Sequence, residues 1–435
     1  MRVKGMIIVV CVTVLVGSVF LGIGDLAFSQ RKTLDVAIHD APWRPGYYAA
    51  VKLFEQKSGV KVKTHVMPFV GLFAKLMTMA ARGGTEFDVS EYGDVWLPFF
   101  YAGRYLWPLK EIDPQFEPDP EQITYEDAGR WSFEKNYRDA NGVLYSQTFM
   151  GNINLFWYRK DKYEESGLST PPETWNEVAA AAKKLHDPNR PFYGYVQRGV
   201  RGDAAVFGWM PLLYSWGEDI FANAPDDWTI TVNSRKAKEA LQFVLDLLKW
   251  APPGQGDINQ GDIIALLSTD RVLQGITVAA AFSHFDNPKE SLVPFKVEPI
   301  VIPKSPYGIQ DTSFGVIGWA IPKGSKDKEL ALEFIKFFTS YEGQMEWTKY
   351  GGVPTRIDIY TSELAKQKEY RYLRAMNEGF ARGMGTMRPA MPEWTEIEDA
   401  LGTHLNAAFV GLETAEEALD ATAREIKEIM RRRRI

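Results

Sequence analysis

The chain has 435 residues, 45% of them hydrophobic and 24% charged. That length exceeds one ordinary core and predicts two or three lobes. A net charge of −6 weighs against a nucleic-acid binder, and a single cysteine excludes an internal disulfide framework.

Arg2 and Lys4 precede the apolar run Met6–Phe20, and Ala27-Phe28-Ser29 precedes Gln30. This is the order of a secretory signal over residues 1–29, cleaved after Ser29. An uncleaved anchor is the other reading, since Met6–Ile23 is nearly long enough to span a bilayer. Cys11 lies inside the run behind Val9-Val10, a poor setting for lipid attachment. Cleavage removes Arg2, Lys4, Asp25 and Cys11, leaving 48 basic and 55 acidic residues, a net charge of −7 and no thiol chemistry.

Thr33–Ile38 alternates as a first strand and runs into His39-Asp40-Ala41-Pro42-Trp43. Tyr47–Lys57 reads as a helix ended by Gly59, Val60–Val66 as a second strand, and Phe69–Ala81 as a helix closed by Gly83-Gly84. A third strand starts at Phe87-Asp88-Val89 and ends at Gly93-Asp94. This alternation argues a parallel sheet wound by crossover helices. Ligands of such sheets sit at the carboxyl ends of strands, here His39–Trp43 and Gly93–Trp96.

Val143–Asp161 is apolar, then small and polar at Gly151-Asn152-Ile153-Asn154, then apolar again. It reads as a strand crossing an exposed waist between two lobes, or as a buried strand pair with a turn at Gly151-Asn152. Beyond it, Thr174 and Glu177 form a capping box that opens a helix to Leu185. Tyr193–Gln197 reads as a short strand, and Val206–Ser215 and Ser234–Trp250 as helices. After the Pro- and Gly-rich segment Ala251–Gln260, a helix spans Asp262–Thr269 and a strand spans Ile276–Phe282. Val297–Ile302 and Gly315–Ile321 are strands, and Lys326–Thr339 is a helix. Thr414 and Glu417 open a final helix to about Met430, and Arg431–Arg434 complements its dipole.

The order of these signals resembles bacterial extracellular solute-binding proteins, family 1, the group that includes the maltose-binding sugar receptors. The resemblance is carried by Ala80-Ala81-Arg82-Gly83-Gly84-Thr85-Glu86-Phe87-Asp88-Val89, and by Tyr158-Arg159-Lys160-Asp161 followed by Pro171-Pro172-Glu173-Thr174-Trp175. Gly318-Trp319-Ala320-Ile321-Pro322-Lys323-Gly324-Ser325-Lys326, continuing through Ala331-Leu332-Glu333-Phe334 to Gln344, is the most specific piece. Gly351-Gly352-Val353-Pro354-Thr355-Arg356 completes a likeness that spans about Thr33 to Met430.

The resemblance implies an α/β fold of two lobes, each a mostly parallel sheet wound by helices, with ligand in the cleft at the hinge. It places the N-lobe at 33–149 plus 284–315 and the C-lobe at 150–283 plus 316–435. Crossings fall near Gly151–Asn154 and Thr312–Val316, with a further connection after Ser340. The implied role is a monomeric periplasmic receptor that hands a sugar or polyol to the membrane permease of an ABC importer. No cofactor or metal is implied, and no nucleic-acid partner.

Thirteen Trp, 19 Tyr and 25 Phe can line a sugar-stacking surface as well as fill cores. Sugar sites combine aromatic faces with planar carboxylates, amides or guanidinium groups that engage paired hydroxyls. The expected contacts are Asp40 and Trp43 after the first strand, Asp94 after the third, and Asn152 at the waist. Phe285, Phe314, Gly315, Arg388 and Trp394 follow from the family pattern. Asn152 stands where maltodextrin binders carry an acid, and Phe285 where Trp is common; both departures unsettle the solute's identity. Trp43 packed under its loop, and Trp209 and Trp216 in the core, are the structural readings. Arg356 is expected to brace the lobes.

An enzyme is the competing class. The five histidines form no metal-binding pair, and neither a Gly-x-Ser-x-Gly elbow nor a phosphate-binding loop is present. Asp40 and Asp94 could still meet as a glycosidase pair. Arg201-Gly202-Asp203 is discounted as an adhesion tripeptide. A sensor ectodomain would require the N-terminal segment to stay uncleaved.

Overall fold

The computed structural model describes residues 33–122 and 128–433, apart from the side chain of Asn152. The expected signal segment therefore lies outside the described residues. An eight-stranded sheet forms the frame. Its strands are β1 (Thr33–His39), β2 (Lys61–Met67), β3 (Val89–Gly93), β4 (Ser146–Arg159), β5 (Gln274–Val278), β6 (Val297–Ile300), β7 (Ser313–Ala320) and β8 (Thr386–Met387). Along the sheet the order is β5-β4-β7-β3-β1-β2, with β6 added to β4 and β8 to β7.

β4 is 14 residues long and runs unbroken through Gly151 and Asn152. No turn forms there. Its first half pairs antiparallel with β7, Asn152 opposite Gly315 and Gly151 opposite Val316. Its second half pairs with β5 and β6, where Phe156 faces both Ile276 and Ile300. One strand thus joins two sheet halves. β1 pairs parallel with β2 and β3, while β7 returns antiparallel to β3.

The principal helices are α1 (Arg44–Ser58), α2 (Phe69–Arg82), α3 (Trp175–Leu185), α4 (Asp203–Ser215), α5 (Arg235–Leu247) and α6 (Gln260–Ser268). They continue with α7 (Lys328–Thr339), α8 (Tyr341–Lys349), α9 (Arg371–Ala381), α10 (Trp394–Phe409) and α11 (Ala415–Arg432). Thr174 and Thr414 accept from the amides of Glu177 and Glu417, whose side chains answer to the cap amides, so both expected capping boxes form. Gly59 ends α1 at a φ of +72°, a left-handed angle that costs other residues a clash. α1 packs on α8 so closely that a Cβ at Gly46 would lie 2.4 Å from the Trp347 carbonyl oxygen. Phe149 stacks on Trp319 at 4.2 Å between ring centres, and Phe334 and Phe338 meet Trp319 edge-on.

Several expectations are corrected. Tyr193–Gln197 makes only isolated bridges, Tyr193 with Val272 and Val196 with Gly275. The strand expected to reach Phe282 stops at Val278, because Ala279–Ala281 turns into a 3-10 helix followed by the helical turn Phe282–Phe285. The lobe ranges shift as well. β6 pairs with the second half of β4 rather than joining residues 33–149. Residues 317–320 pair with β3, and Phe334 on α7 packs against Phe54 on α1, so 316–339 belongs with the first sheet half. Trp209 and Trp216 meet their expectations, both being buried, and Arg356 is ion-paired to Asp119 and Asp358.

Candidate functional site

The carboxyl ends of β1 and β3, the crossing region of β4 and β7, and the start of α4 surround one cleft. It encloses about 720 Å³, counted to its open mouth. Asp40, Trp43, Asp94, Gly315 and Arg388 of the expected set line it.

Aromatic rings form one wall. His39 meets Trp43 and Phe69 edge-on, each at 5.0 Å between ring centres. Phe69 rests on Trp96 at 4.2 Å. The His39 ring and amide both bond to the buried Glu91 carboxylate, which fixes the ring against this wall. Asp40 points outward and pairs with Arg44 one helical turn on.

Ionic groups form the floor. Asp94 follows β3, and its amide donates to the Val316 carbonyl, so β7 holds it in place. Arg388 follows β8 and donates to Asp94 through Nη2 at 3.0 Å and Nε at 3.4 Å. Nη1 of Arg388 donates to Glu398 at 2.9 Å and to Asp203 at the start of α4. Among the described residues, four hydrogen bonds leave one of the five guanidinium N–H groups uncommitted. Three carboxylates around it raise the Arg388 pKa against the opposing effect of burial. Burial raises the Asp94 pKa, with Arg388 opposing. Burial likewise lifts Glu398 well above the usual carboxylate range, helped by the charge of Asp203.

The facing wall carries Arg198, Phe207 and Gln260. Two guanidiniums lie over the Phe207 ring, Arg388 at 4.8 Å and Arg198 at 5.3 Å from its centre. A Cβ on Gly315 would touch Phe207 at 3.4 Å, so glycine there keeps the cleft floor open.

Three expected contacts are not at the cleft. Phe285 is fully buried and packs on Trp157 at 4.8 Å between ring centres. Phe314 is buried against Phe380, because alternation along β7 turns it away from the side on which Gly315 lies. Trp394, at the start of α10, is buried in the core with Ile397 and Leu401. The Asn152 backbone pairs with Gly315, and its side chain lies outside the described residues. Sequence reasoning missed Arg198, Asp203, Phe207 and Gln260 as cleft residues, and Glu398 as the buried partner of Arg388. Asp203 sat in the dismissed tripeptide, ahead of the helix that the sequence suggested from Val206 and that the structure begins at Asp203.

The profile of the bacterial extracellular solute-binding protein family matches residues 40–345. The chain belongs to that family. As a solute-binding protein it is 24% identical over 412 residues to a mannitol-binding protein of Pseudomonas aeruginosa, covering 86% of this chain and 89% of that one. It is 25% identical over 386 residues to a "Probable amino-acid ABC transporter periplasmic-binding protein" of Sinorhizobium fredii, covering 87% and 85%. A ribitol complex from Agrobacterium radiobacter superposes with a TM-score of 0.80 at 24% identity, covering 91% of this chain and 98% of that one. A maltose-bound protein of T. maritima gives 0.81 at 24% identity, covering 91% and 99%. These solved neighbours share the two-lobed solute-binding fold. The solute-binding family serves ABC importers, and its members are binding proteins rather than enzymes. No helix among the described residues is long and apolar enough to cross a membrane.

Proposed function

We propose that this solute-binding protein is a periplasmic receptor that captures a sugar or polyol between its lobes and presents it to a membrane permease. One observation carries the reading: the Asp94–Arg388 pair opens onto a cleft walled by Trp43, Phe69 and Phe207. Ring faces stack on the C–H surface of a sugar, and a guanidinium-fixed carboxylate accepts from paired hydroxyls. Trp43, Asp94 and Gly315 approach from the first sheet half, Arg198, Asp203 and Gln260 from the second. A ligand touching both stabilises the closed form, which docks to the importer. The mannitol-binding relative and the ribitol- and maltose-bound neighbours support a polyhydroxylated solute. The mature chain begins at Gln30 and acts as a monomer.

The amino-acid name of the Sinorhizobium relative favours a second reading, an amino-acid solute. Thermal-shift screening of the chain from Gln30 against sugars, polyols, their phosphates and amino acids separates the two. A ligand that binds only the folded state raises the melting temperature as its concentration rises. A sugar or polyol hit without turnover supports the first reading; hits confined to amino acids overturn it. Turnover of a glycoside that disappears in Asp94→Asn would instead make the protein a hydrolase.

A further inference from the structure

Among the described residues five arginines are almost fully buried: Arg159, Arg198, Arg356, Arg371 and Arg388. Four of them hold two or more carboxylates. Arg159 pairs with Asp161 and Asp270, Arg356 with Asp119 and Asp358, and Arg371 with Asp286 and Glu298. Arg388 holds three. Arg198 has no ion pair among the described residues. Its one hydrogen bond there runs from Nη2 to the neutral Gln260 amide oxygen at 2.8 Å, and its buried Nε has no partner.

A buried cation without a counter-ion is costly, and burial lowers the Arg198 pKa to about 10. Asp203 acts on it from a distance but spends its carboxylate on Arg388. The backbone beside it is nonetheless anchored. Asn406 donates to the Gly199 carbonyl at 2.7 Å, and the Gly199 amide donates to the Ile258 carbonyl at 2.8 Å. Gly208 on α4 lets the Arg198 stem lie against the helix, where a Cβ would come within 3.0 Å of the Arg198 Cβ. Arg198 lines the same cleft as Asp94 and Trp43. A preorganised guanidinium facing a cleft without an anion is the complement of an anionic ligand group.

We propose that the solute is an acidic sugar or polyol, an aldonate or uronate, whose carboxylate seats on Arg198 while its hydroxyls reach Asp94. This rests on the sugar reading above and narrows it. A planar carboxylate matches the guanidinium fork and supplies one negative charge. A dianionic phosphate fits less well, because Asp94 and Asp203 line the same space.

The test is calorimetric titration of the mature chain with matched sets: an alditol, the aldose, the aldonate, the uronate and the sugar phosphate, with amino acids alongside. An acid is expected to bind at least about 100-fold more tightly than its matching alditol, and Arg198→Gln is expected to bring that ratio below about 5-fold. Ligand-free Arg198→Gln should melt no lower than the native protein, since it loses a buried charge that lacks an ion pair. If that variant does not fold, Arg198→Lys keeps the charge without the fork and should weaken the acid alone by about 10-fold. A neutral polyol that binds as tightly as its acid, or an Arg198 variant that weakens both equally, overturns the proposal and leaves the sugar reading standing. Preference for the phosphate overturns the choice of carboxylate. Binding by amino acids alone, or by no polyhydroxylated compound, overturns both readings together.

Discussion

Arg388 grips Asp94 with two nitrogens, Nη2 3.0 Å from Oδ1 and Nε 3.4 Å from Oδ2. The two residues are 294 apart in the chain. Through Nη1 the same guanidinium also holds Asp203 and Glu398. It thereby ties the end of β3 to α4 and α10. Arg388→Met would leave these carboxylates facing one another without their cation. The expected loss is about 3–5 kcal/mol of unfolding free energy. Urea unfolding of the ligand-free protein reads it directly, and an unchanged midpoint would show that the tie is not structural.

Asp94→Ala is a different experiment. Arg388 keeps Asp203 and Glu398, so the cation stays paired and the fold should survive. Affinity for the transported solute should fall at least about 10-fold, the value of a lost charge-assisted hydrogen bond. Titration with the hit from the ligand panel, beside a melting curve, separates the two effects. Unchanged affinity would remove Asp94 from the site.

At Gly315 the cleft floor is open because no side chain stands there. A Cβ would contact Phe207 at 3.4 Å and Arg388 Nη2 at 3.7 Å. Gly315→Ala should therefore be nearly silent. Gly315→Val suits a strand but pushes methyl groups at Phe207 and into the ligand space, so affinity should drop by at least about 10-fold. A valine variant that binds normally would place the ligand elsewhere.

The first half of the fold was legible in the sequence because local signals agree there. Gly59 and Gly83 end helices, alternating apolar residues mark β1 and β2, and Asp94 falls at a strand end. The stretch from 340 to 413 yielded little, and α9 and α10 show why. Buried Arg371 on α9 pairs with Asp286 and Glu298, and the inward face of α10 carries Glu398 for Arg388. Gly402 on α10 meets the Gly202 backbone, where a Cβ would come within 2.5 Å. These inward charges and the glycine interrupt apolar stripes that are nonetheless present, Tyr372, Leu373 and Met376 on α9 and Ile397, Leu401 and Leu405 on α10, so the periodicity there was readable and was overlooked. The cleft was half legible for a related reason. Strand ends can be counted along the chain, but Arg198 and Asp203 acquire their meaning from partners far away in sequence. Phe314 could have been rejected sooner, since neighbours on a strand face opposite sides and Gly315 claimed the open one.

Phe285 tests the boundary between core and site. It is fully buried against Trp157, whose Nε1 donates to the Thr277 carbonyl at 3.1 Å. Phe285→Ala should cost about 3–5 kcal/mol of stability through the cavity it leaves. Solute affinity of the folded fraction should not change. Unfolding in urea and titration below the transition measure the two quantities. Lost affinity without lost stability would return Phe285 to the ligand.

Glu398 makes stability depend on pH. Burial and the nearby charge of Asp203 raise its pKa in the folded state, whereas the unfolded chain titrates in the ordinary carboxylate range. Between those two values the folded protein holds a proton that the unfolded chain has released. The contribution is therefore fully present below the ordinary carboxylate range and is lost as pH rises through the raised value. One proton sets a limiting slope of about 1.4 kcal/mol per pH unit. Asp94, raised by burial as well, acts in the same direction. Urea midpoints measured from about pH 5 to pH 9 should fall for the native protein and fall less steeply for Glu398→Gln, whose amide stays neutral throughout. Parallel curves for the two proteins would mean that Glu398 is already ionised in the folded state, with Arg388 outweighing the cost of burial.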